Sequence, residues 1–334
     1  MGSRLVFVHG IGGLRDTGRE LASWTESLAT GMRAAGHPAL AGRLTADDAS
    51  HCSFAHYADL FSPPEAQGGE EARADGEAGE IMEGLLVELT AALTAQHSAT
   101  GPRDSAWQRR EEILAHARAE ADTSRQAQGA LSAFRRALNV ATTLMALRPW
   151  SGVARWATPK LMVRDLAQVS RYLARGERDE SGRTLDCRVR QRVQDALGDV
   201  PKVVVAHSLG TVVALEALRD HEAATPLLVT LGSPLSMRTV VRPRLLPQPP
   251  RTPERVERWL NFWDNDDVIA ARPVLERDVL PNAAGVRPRS SRVDSDGIWV
   301  HSAEKYLAQA AVAGPVAEAL LSMEVAAAER RPAP

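Results

Sequence analysis

The clearest structural pattern in this chain runs from Val203 to Leu218, and its sequence is Val-Val-Val-Ala-His-Ser-Leu-Gly-Thr-Val-Val-Ala-Leu-Glu-Ala-Leu. The stretch opens with an unbroken β-branched run, which predicts a buried strand. After one turn of small residues, apolar side chains recur at helical spacing at Val212, Leu215 and Leu218. The pattern therefore predicts a strand, a sharp turn and a helix that meet at Ser208.

A serine on a sharp strand-to-helix turn has the geometry of a nucleophile elbow. In such a turn the hydroxyl stands clear of the backbone, and the helix N-terminus favours developing negative charge. The segment here is Ala-His-Ser-Leu-Gly, with Ala206 where the usual signature has its first glycine. Alanine is still small enough for strand and helix to approach closely. A tight turn without chemistry would also fit a short Ser-x-Gly match, but the flanking strand and helix favour a nucleophile at Ser208.

Composition limits the classes of partner. The formal net charge is −2 and the sequence pI is 6.5, so the overall charge does not indicate a nucleic-acid partner. Basic side chains outnumber acidic ones between Pro102 and Arg192, which fits either a basic insertion or solvated helix faces. Cys52 and Cys187 have no metal-ligand or redox spacing and fit the reduced thiols of a cytoplasmic protein. We expect no secretory signal and no apolar run long enough to span a bilayer.

A first buried strand is predicted at residues 4–9, and it ends in His9-Gly10-Ile11-Gly12-Gly13. A nucleotide-binding loop is not indicated, because no Lys-Ser/Thr follows and the Gly-x-Gly-x-x-Gly spacing is absent. The remaining interpretation is an oxyanion loop, in which a His-Gly pair presents a backbone N–H across from the N–H that follows the nucleophile. A second strand is predicted at residues 53–61.

Between the two halves of the core we expect a large insertion. Residues 63–79 are rich in Pro, Gly, Ala and Glu, which predicts a loop, and three apolar stripes at helical spacing follow them. The third stripe, from Met162 to Leu173, favours packing against the sheet. For residues 131–162 we favour a cap over the site. There, apolar and aromatic side chains, including Trp150 and Trp156, are flanked by basic ones, which suits an amphipathic acyl or lipid-like substrate.

A catalytic serine also needs a base, and the base needs an acid that fixes its tautomer. The later part of the chain predicts a strand at residues 256–263, a short edge strand at 286–290 and a last helix from residue 303 to about residue 327. Three acids, Asp264, Asp266 and Asp267, follow the first of these strands, and His301 alone among the nine histidines follows them. His301 is therefore the predicted base, and any of the three acids could orient it.

With these motifs the chain resembles α/β-hydrolase-fold serine hydrolases of the lipase and esterase type, over residues 4–61 and 188–321. The resemblance implies Ser208 as the nucleophile and His301 as the general base and then acid. It implies Asp267 as the orienting acid, because the family carries this acid three residues past the strand and two before an anchoring apolar residue, here Ile269. It also implies an oxyanion hole made by the backbone N–H groups of Ile11 and Leu209.

We therefore expect an α/β fold with a mostly parallel, doubly wound sheet of about six strands that lacks the family's first hairpin and carries a helical cap insertion. The core would comprise residues 1–62 and 166–327, the acidic loop and cap 63–165, and a frayed tail 328–334. Substrate contacts are expected at Gly12, Trp150 and Trp156.

The expected activity is hydrolysis, or transfer, of an acyl group from an ester or thioester through an acyl-serine intermediate, with no metal and no cofactor. The acyl-bearing substrate would be a small molecule or a lipid. One alternative is a serine peptidase or amidase with the same triad. Another is a membrane or protein docking module with residual hydrolysis, in which the basic cap makes peripheral membrane contact.

Overall fold

The computed structural model describes residues 4–10, 16–46, 52–61, 76–99, 159–267, 269–270, 274–295 and 301–329, together with 108, 111, 112 and 115. A six-stranded sheet lies at its centre, and every neighbouring pair of strands is parallel. Its strands are β1 (Leu5–Val8), β2 (Cys52–Ala55), β3 (Val203–His207), β4 (Leu227–Leu231), β5 (Trp259–Asp264) and β6 (Pro288–Val293). The predicted parallel α/β sheet is thereby confirmed.

The order of the strands across the sheet is β2-β1-β3-β4-β5-β6. From β1 the chain steps to one side to form β2, and it then crosses back over β1 to form β3 and proceeds outward in the other direction. The direction of winding therefore reverses between β1 and β3. In open parallel sheets, ligands bind at the carboxyl ends of the strands beside such a reversal.

Helices cover both faces of the sheet because strand side chains alternate between the two faces. Val6 and Val8 of β1 join one core cluster, and Leu5 and Phe7 join the other. The first cluster contains residues from α3 (Glu77–Ala99), α4 (Pro159–Ala174), α5 (Leu185–Leu197) and α6 (Leu209–Arg219). The second contains residues from α1 (Thr17–Ala34), α2 (Pro38–Ala46), α7 (Ala303–Leu307) and α8 (Ala310–Glu329).

Several boundaries differ from those predicted. The second strand ends at Ala55, and a 3₁₀ turn follows at Ala58–Phe61. The fifth strand is Trp259–Asp264 and the edge strand is Pro288–Val293, so both lie slightly later in the chain than predicted. The single predicted last helix is divided into α7 and α8. At this break α1 approaches so closely that a side chain at Gly31 would collide with the backbone at Leu307 and Ala308.

The last helix, α8, is the one helix in the described part of the chain that is long and apolar enough to cross a membrane on length and composition, with a mean hydropathy of 1.4. Its inner face packs in the second core cluster through Val312, Ala313, Val316, Ala317 and Leu320. Core helices of soluble proteins pass the same test, so the pattern alone does not identify a membrane span.

Candidate active site

Ser208 lies between the end of β3 and the start of α6, as the sequence pattern predicts. Its backbone has φ 55° and ψ −132°, a positive φ that is uncommon for a residue other than glycine. The Ser208 N–H donates to the carbonyl of Leu231 at the end of β4, 3.0 Å away, which ties the turn to the neighbouring strand. Strained backbone of this kind is concentrated at functional sites, where the surrounding structure holds it in place.

Small residues allow the end of β1 to reach this turn. A side chain on Gly210 would collide with the carbonyl oxygens of Val8 and His9, and a Cβ on Gly10 would lie 2.7 Å from the Cβ of Ser208. Ala206, where the usual signature has glycine, is fully buried in β3 and is paired with Val8. The close approach therefore depends on glycine at positions 10 and 210 and accommodates alanine at 206.

Three side chains that are far apart in the sequence form one hydrogen-bonded chain. His301 Nε2 lies 3.0 Å from Ser208 Oγ, and His301 Nδ1 lies 2.8 Å from Asp267 Oδ2. An ionised carboxylate can only accept, so Nδ1 carries a hydrogen and donates the hydrogen bond to Asp267. In the neutral ring, Nε2 is then an acceptor for the Ser208 hydroxyl. The arrangement allows the imidazole to remove the serine proton.

Asp267 is almost completely buried and is nevertheless held as a carboxylate. Its Oδ1 accepts from the N–H of Ile269 at 3.0 Å, and its Oδ2 accepts from the hydroxyl of Tyr306 at 2.7 Å as well as from His301. Burial by itself raises the pKa of Asp267. Electrostatic attraction to His301, together with the hydrogen bonds from His301, Tyr306 and Ile269, outweighs burial and lowers the pKa of Asp267 below its ordinary value.

The structure distinguishes the three acids that the sequence left as candidates. Asp267 is the one that is hydrogen-bonded to His301. Asp264 is buried too, but its Oδ1 accepts from the N–H of Asp266 and its Oδ2 from the N–H of Ser295. Asp266 is exposed. Asp264 thus organises the loop that carries Asp267 and joins it to the segment that precedes His301.

Of the two predicted oxyanion-hole residues, Leu209 belongs to the described part of the chain and Ile11 does not. Leu209 is buried and begins α6 directly after Ser208, where the first backbone N–H groups of a helix have no partner within the helix. Ile11 and Gly12 lie outside the described residues, as do Trp150, Trp156 and most of the predicted cap at 131–162. Met162, at the end of that segment, is buried in the first core cluster.

His9, the first residue of the predicted oxyanion loop, is firmly held. The ring of His9 stacks against Tyr57, with ring centroids 4.0 Å apart, and against Phe54 at 5.3 Å. Its Nδ1 lies 2.6 Å from the carbonyl oxygen of Gly10, and the Tyr57 hydroxyl donates to the His9 carbonyl. These contacts fix the backbone at the start of the glycine-rich segment.

Three residues that the sequence analysis did not place beside the predicted acid and base contact them in the structure. Tyr306 donates to Asp267, and the His207 ring centroid lies 4.6 Å from that of His301. Gly232 has φ 52°, and a Cβ there would lie 2.6 Å from Asp267 Oδ2 and 3.0 Å from His301 Nδ1. The signal for Gly232 is its position directly after a buried strand, where a left-handed turn favours glycine. Tyr306 has the spacing of an ordinary core residue, so the pattern of the helix does not reveal it.

Within the described residues, no group of three or more His, Cys, Asp or Glu side chains is arranged to hold a metal ion. Comparison with protein-family models, curated proteins and solved structures found no match to this chain.

Proposed function

We propose that this protein is a serine hydrolase that cleaves, or transfers, an acyl group through an acyl-serine intermediate. The observation that carries the proposal is the hydrogen-bonded chain from Ser208 through His301 to Asp267, at the carboxyl edge of the parallel sheet. A nucleophile, a base and an orienting acid in this order are what acyl transfer to a neutral serine hydroxyl requires.

In the proposed reaction, Ser208 Oγ attacks the acyl carbonyl while its proton moves to His301 Nε2. Asp267 stabilises the imidazolium that forms, and the imidazolium then donates its proton to the leaving group. Water, activated by the same imidazole, releases the acid and restores Ser208. The N–H of Leu209 at the start of α6 is suited to stabilise the oxyanion, and the N–H of Ile11 is proposed as its partner.

The preferred substrate is a small molecule or lipid that carries an ester or thioester with a medium or long acyl chain. We propose a cytoplasmic location for the protein. The substrate preference rests on the apolar, aromatic and basic composition of residues 131–162. The α/β-hydrolase fold and the cap are part of the same proposal, supported by the parallel sheet and by the triad order Ser, Asp, His along the chain.

A panel of aryl esters, acyl thioesters and the corresponding amides, each with short and long acyl chains, tests the proposal. We expect ester and thioester turnover with wild-type protein and a loss of about 10³-fold or more in Ser208→Ala, because only binding and oxyanion stabilisation remain. Faster turnover of the amides would assign the protein as an amidase. Equal turnover by wild type and Ser208→Ala on every substrate would contradict the proposed nucleophile.

A further inference from the structure

Tyr306 is hydrogen-bonded to the proposed triad, and the proposed mechanism does not yet give it a role. It belongs to α7, which begins two residues after His301, and it is completely buried. Its hydroxyl lies 2.7 Å from Asp267 Oδ2 and 3.0 Å from the backbone nitrogen of Asp264. One phenolic oxygen therefore contacts both the orienting acid and the loop that carries it.

Chemistry decides the direction of these two hydrogen bonds. A backbone N–H can only donate, so the Tyr306 oxygen accepts from Asp264. The single hydroxyl proton is then directed to Asp267. Burial and the neighbouring charge of Asp267 raise the pKa of Tyr306 well above its ordinary value, so the hydroxyl keeps its proton.

Among the described residues, the charged and titratable groups near Asp267 come from its own loop, from β3, from β6 and from the segment that carries His301 and Tyr306. His301 and Tyr306 both donate to Oδ2 of Asp267, and Asp264 lies on the same loop. The ring of His207 is 4.6 Å from that of His301 and 6.3 Å from that of Tyr306, measured between centroids. Arg292 on β6 acts electrostatically with Asp264 and Asp266 rather than through a bond to the triad acid. Tyr306 is thus the one side chain besides His301 for which the described structure shows a hydrogen bond to Asp267.

We propose that Tyr306 is a positioning residue that holds Asp267 as a carboxylate aimed at His301, an inference that rests on the proposed hydrolase function. An added proton anywhere on the His301–Asp267 pair removes the base that the reaction needs. The Tyr306 hydroxyl stabilises the pair without that proton, because it donates to the negative oxygen. Because Asp267 is the group that Tyr306 stabilises in its charged form, the effect of losing the hydroxyl appears in the acidic limb of the pH profile.

Tyr306→Phe tests this role by removing the hydroxyl and keeping the ring. We expect kcat on one activated ester to fall by about tenfold with little change in KM, since a hydrogen bond to a charged group is lost from the catalytic arrangement and not from the substrate. We expect the acidic limb of kcat/KM to move to higher pH by about one unit. The rate of fluorophosphonate labelling, measured over the same pH range, should show the same displacement.

Tyr172→Phe is the matched control. Tyr172 is also completely buried, and its hydroxyl donates to a buried carboxylate, that of Glu216, at 2.7 Å. This pair lies away from the triad, so the variant should lose stability and keep the pH profile of the wild type. A purely structural role of Tyr306 would make the two variants behave alike.

A second variant covers the case in which Tyr306→Phe does not fold. Replacement of Tyr306 by a fluorinated tyrosine keeps the ring and strengthens the hydroxyl as a donor, so the acidic limb should move to lower pH. An unchanged acidic limb, in a protein that fluorophosphonate still labels at Ser208, would overturn the role of Tyr306 and leave the proposed hydrolase intact. Failure of the wild-type protein to be labelled would instead overturn the proposed function, and this role with it.

Discussion

Asp264 and Asp267 lie three residues apart in the sequence but are hydrogen-bonded to different groups. Asp267 is bound to His301 and Tyr306, whereas both oxygens of Asp264 are bound to backbone N–H groups. Neutralising Asp267 should therefore affect mainly the orientation of His301. Neutralising Asp264 should affect mainly the stability of the loop.

We expect Asp267→Asn to lower ester turnover by up to about 10⁴-fold, because the amide permits the wrong tautomer of His301. Asp264→Asn keeps one acceptor oxygen and leaves the imidazole untouched. It should cost about 1–3 kcal/mol in the free energy of unfolding, since one buried N–H loses its acceptor, and should change turnover of the folded protein less than tenfold. Turnover and urea unfolding of both variants check this, and a crippled Asp264→Asn beside a near-normal Asp267→Asn would reverse the two roles.

Gly232 provides a test at a position with no functional group. Its φ of 52° is strained for any other residue, and a Cβ would lie 2.6 Å from Asp267 Oδ2. We expect Gly232→Ala to displace the His301–Asp267 pair and to lower kcat by at least about tenfold, because small misplacements of catalytic groups are costly. Gly285, which also has a positive φ but has open space around it, is the matched control. If Gly285→Ala and Gly232→Ala lower kcat equally, the contact with the pair is not the cause.

At the scale of elements, a buried network of charges holds the elbow helix against its neighbours. Glu216 of α6 is fully buried and accepts from Arg175, which follows α4, at 2.6 Å and from Tyr172 at 2.7 Å. Asp186 of α5 is bound to Arg175 at 2.7 Å and to Arg190 at 2.5 Å. Two carboxylates and two guanidinium groups thereby join three helices.

We expect Glu216→Gln to lower the free energy of unfolding by about 3 kcal/mol, because it leaves two largely buried guanidinium groups with Asp186 as their one remaining carboxylate in the network. Asp220→Asn is the control, since Asp220 pairs with Arg219 at the exposed end of the same helix. It should cost less than about 1 kcal/mol, as surface ion pairs do. Urea unfolding measures both, and equal losses would show that the network does not hold the helices together.

The sequence predicted the elements that depend on local patterns. The strand, turn and helix around Ser208 are visible because β-branched and helical periodicities meet at one residue, and His301 is identified by its place after the acids. The roles of Tyr306 and Gly232 were missed because they depend on tertiary contacts and on backbone angles. The division between α7 and α8 was also missed, and it lies where α1 approaches closely at Gly31, a tertiary contact that the local pattern does not show.

At the scale of the whole molecule, the site lies where the winding of the sheet reverses. β1 and β3 are neighbours on either side of that reversal, and their carboxyl ends carry Gly10 and Ser208. Gly232 follows β4, and Asp267 follows β5, so four adjacent strands each contribute to one edge. The parallel arrangement brings together residues that are separated by more than 250 positions in the chain. The observed strand order and the position of the candidate site are thus consequences of one topology.

The measurement that tests the central claim most directly is the intact mass of the protein after incubation with a fluorophosphonate, followed by identification of the labelled peptide. We expect wild-type protein to gain one adduct on Ser208, because His301 activates that hydroxyl, and we expect Ser208→Ala to gain none. Asp264→Asn, which keeps the triad, should still be labelled. An unlabelled wild type, or an adduct of the same yield on Ser208→Ala, would contradict the assignment of Ser208 as the nucleophile.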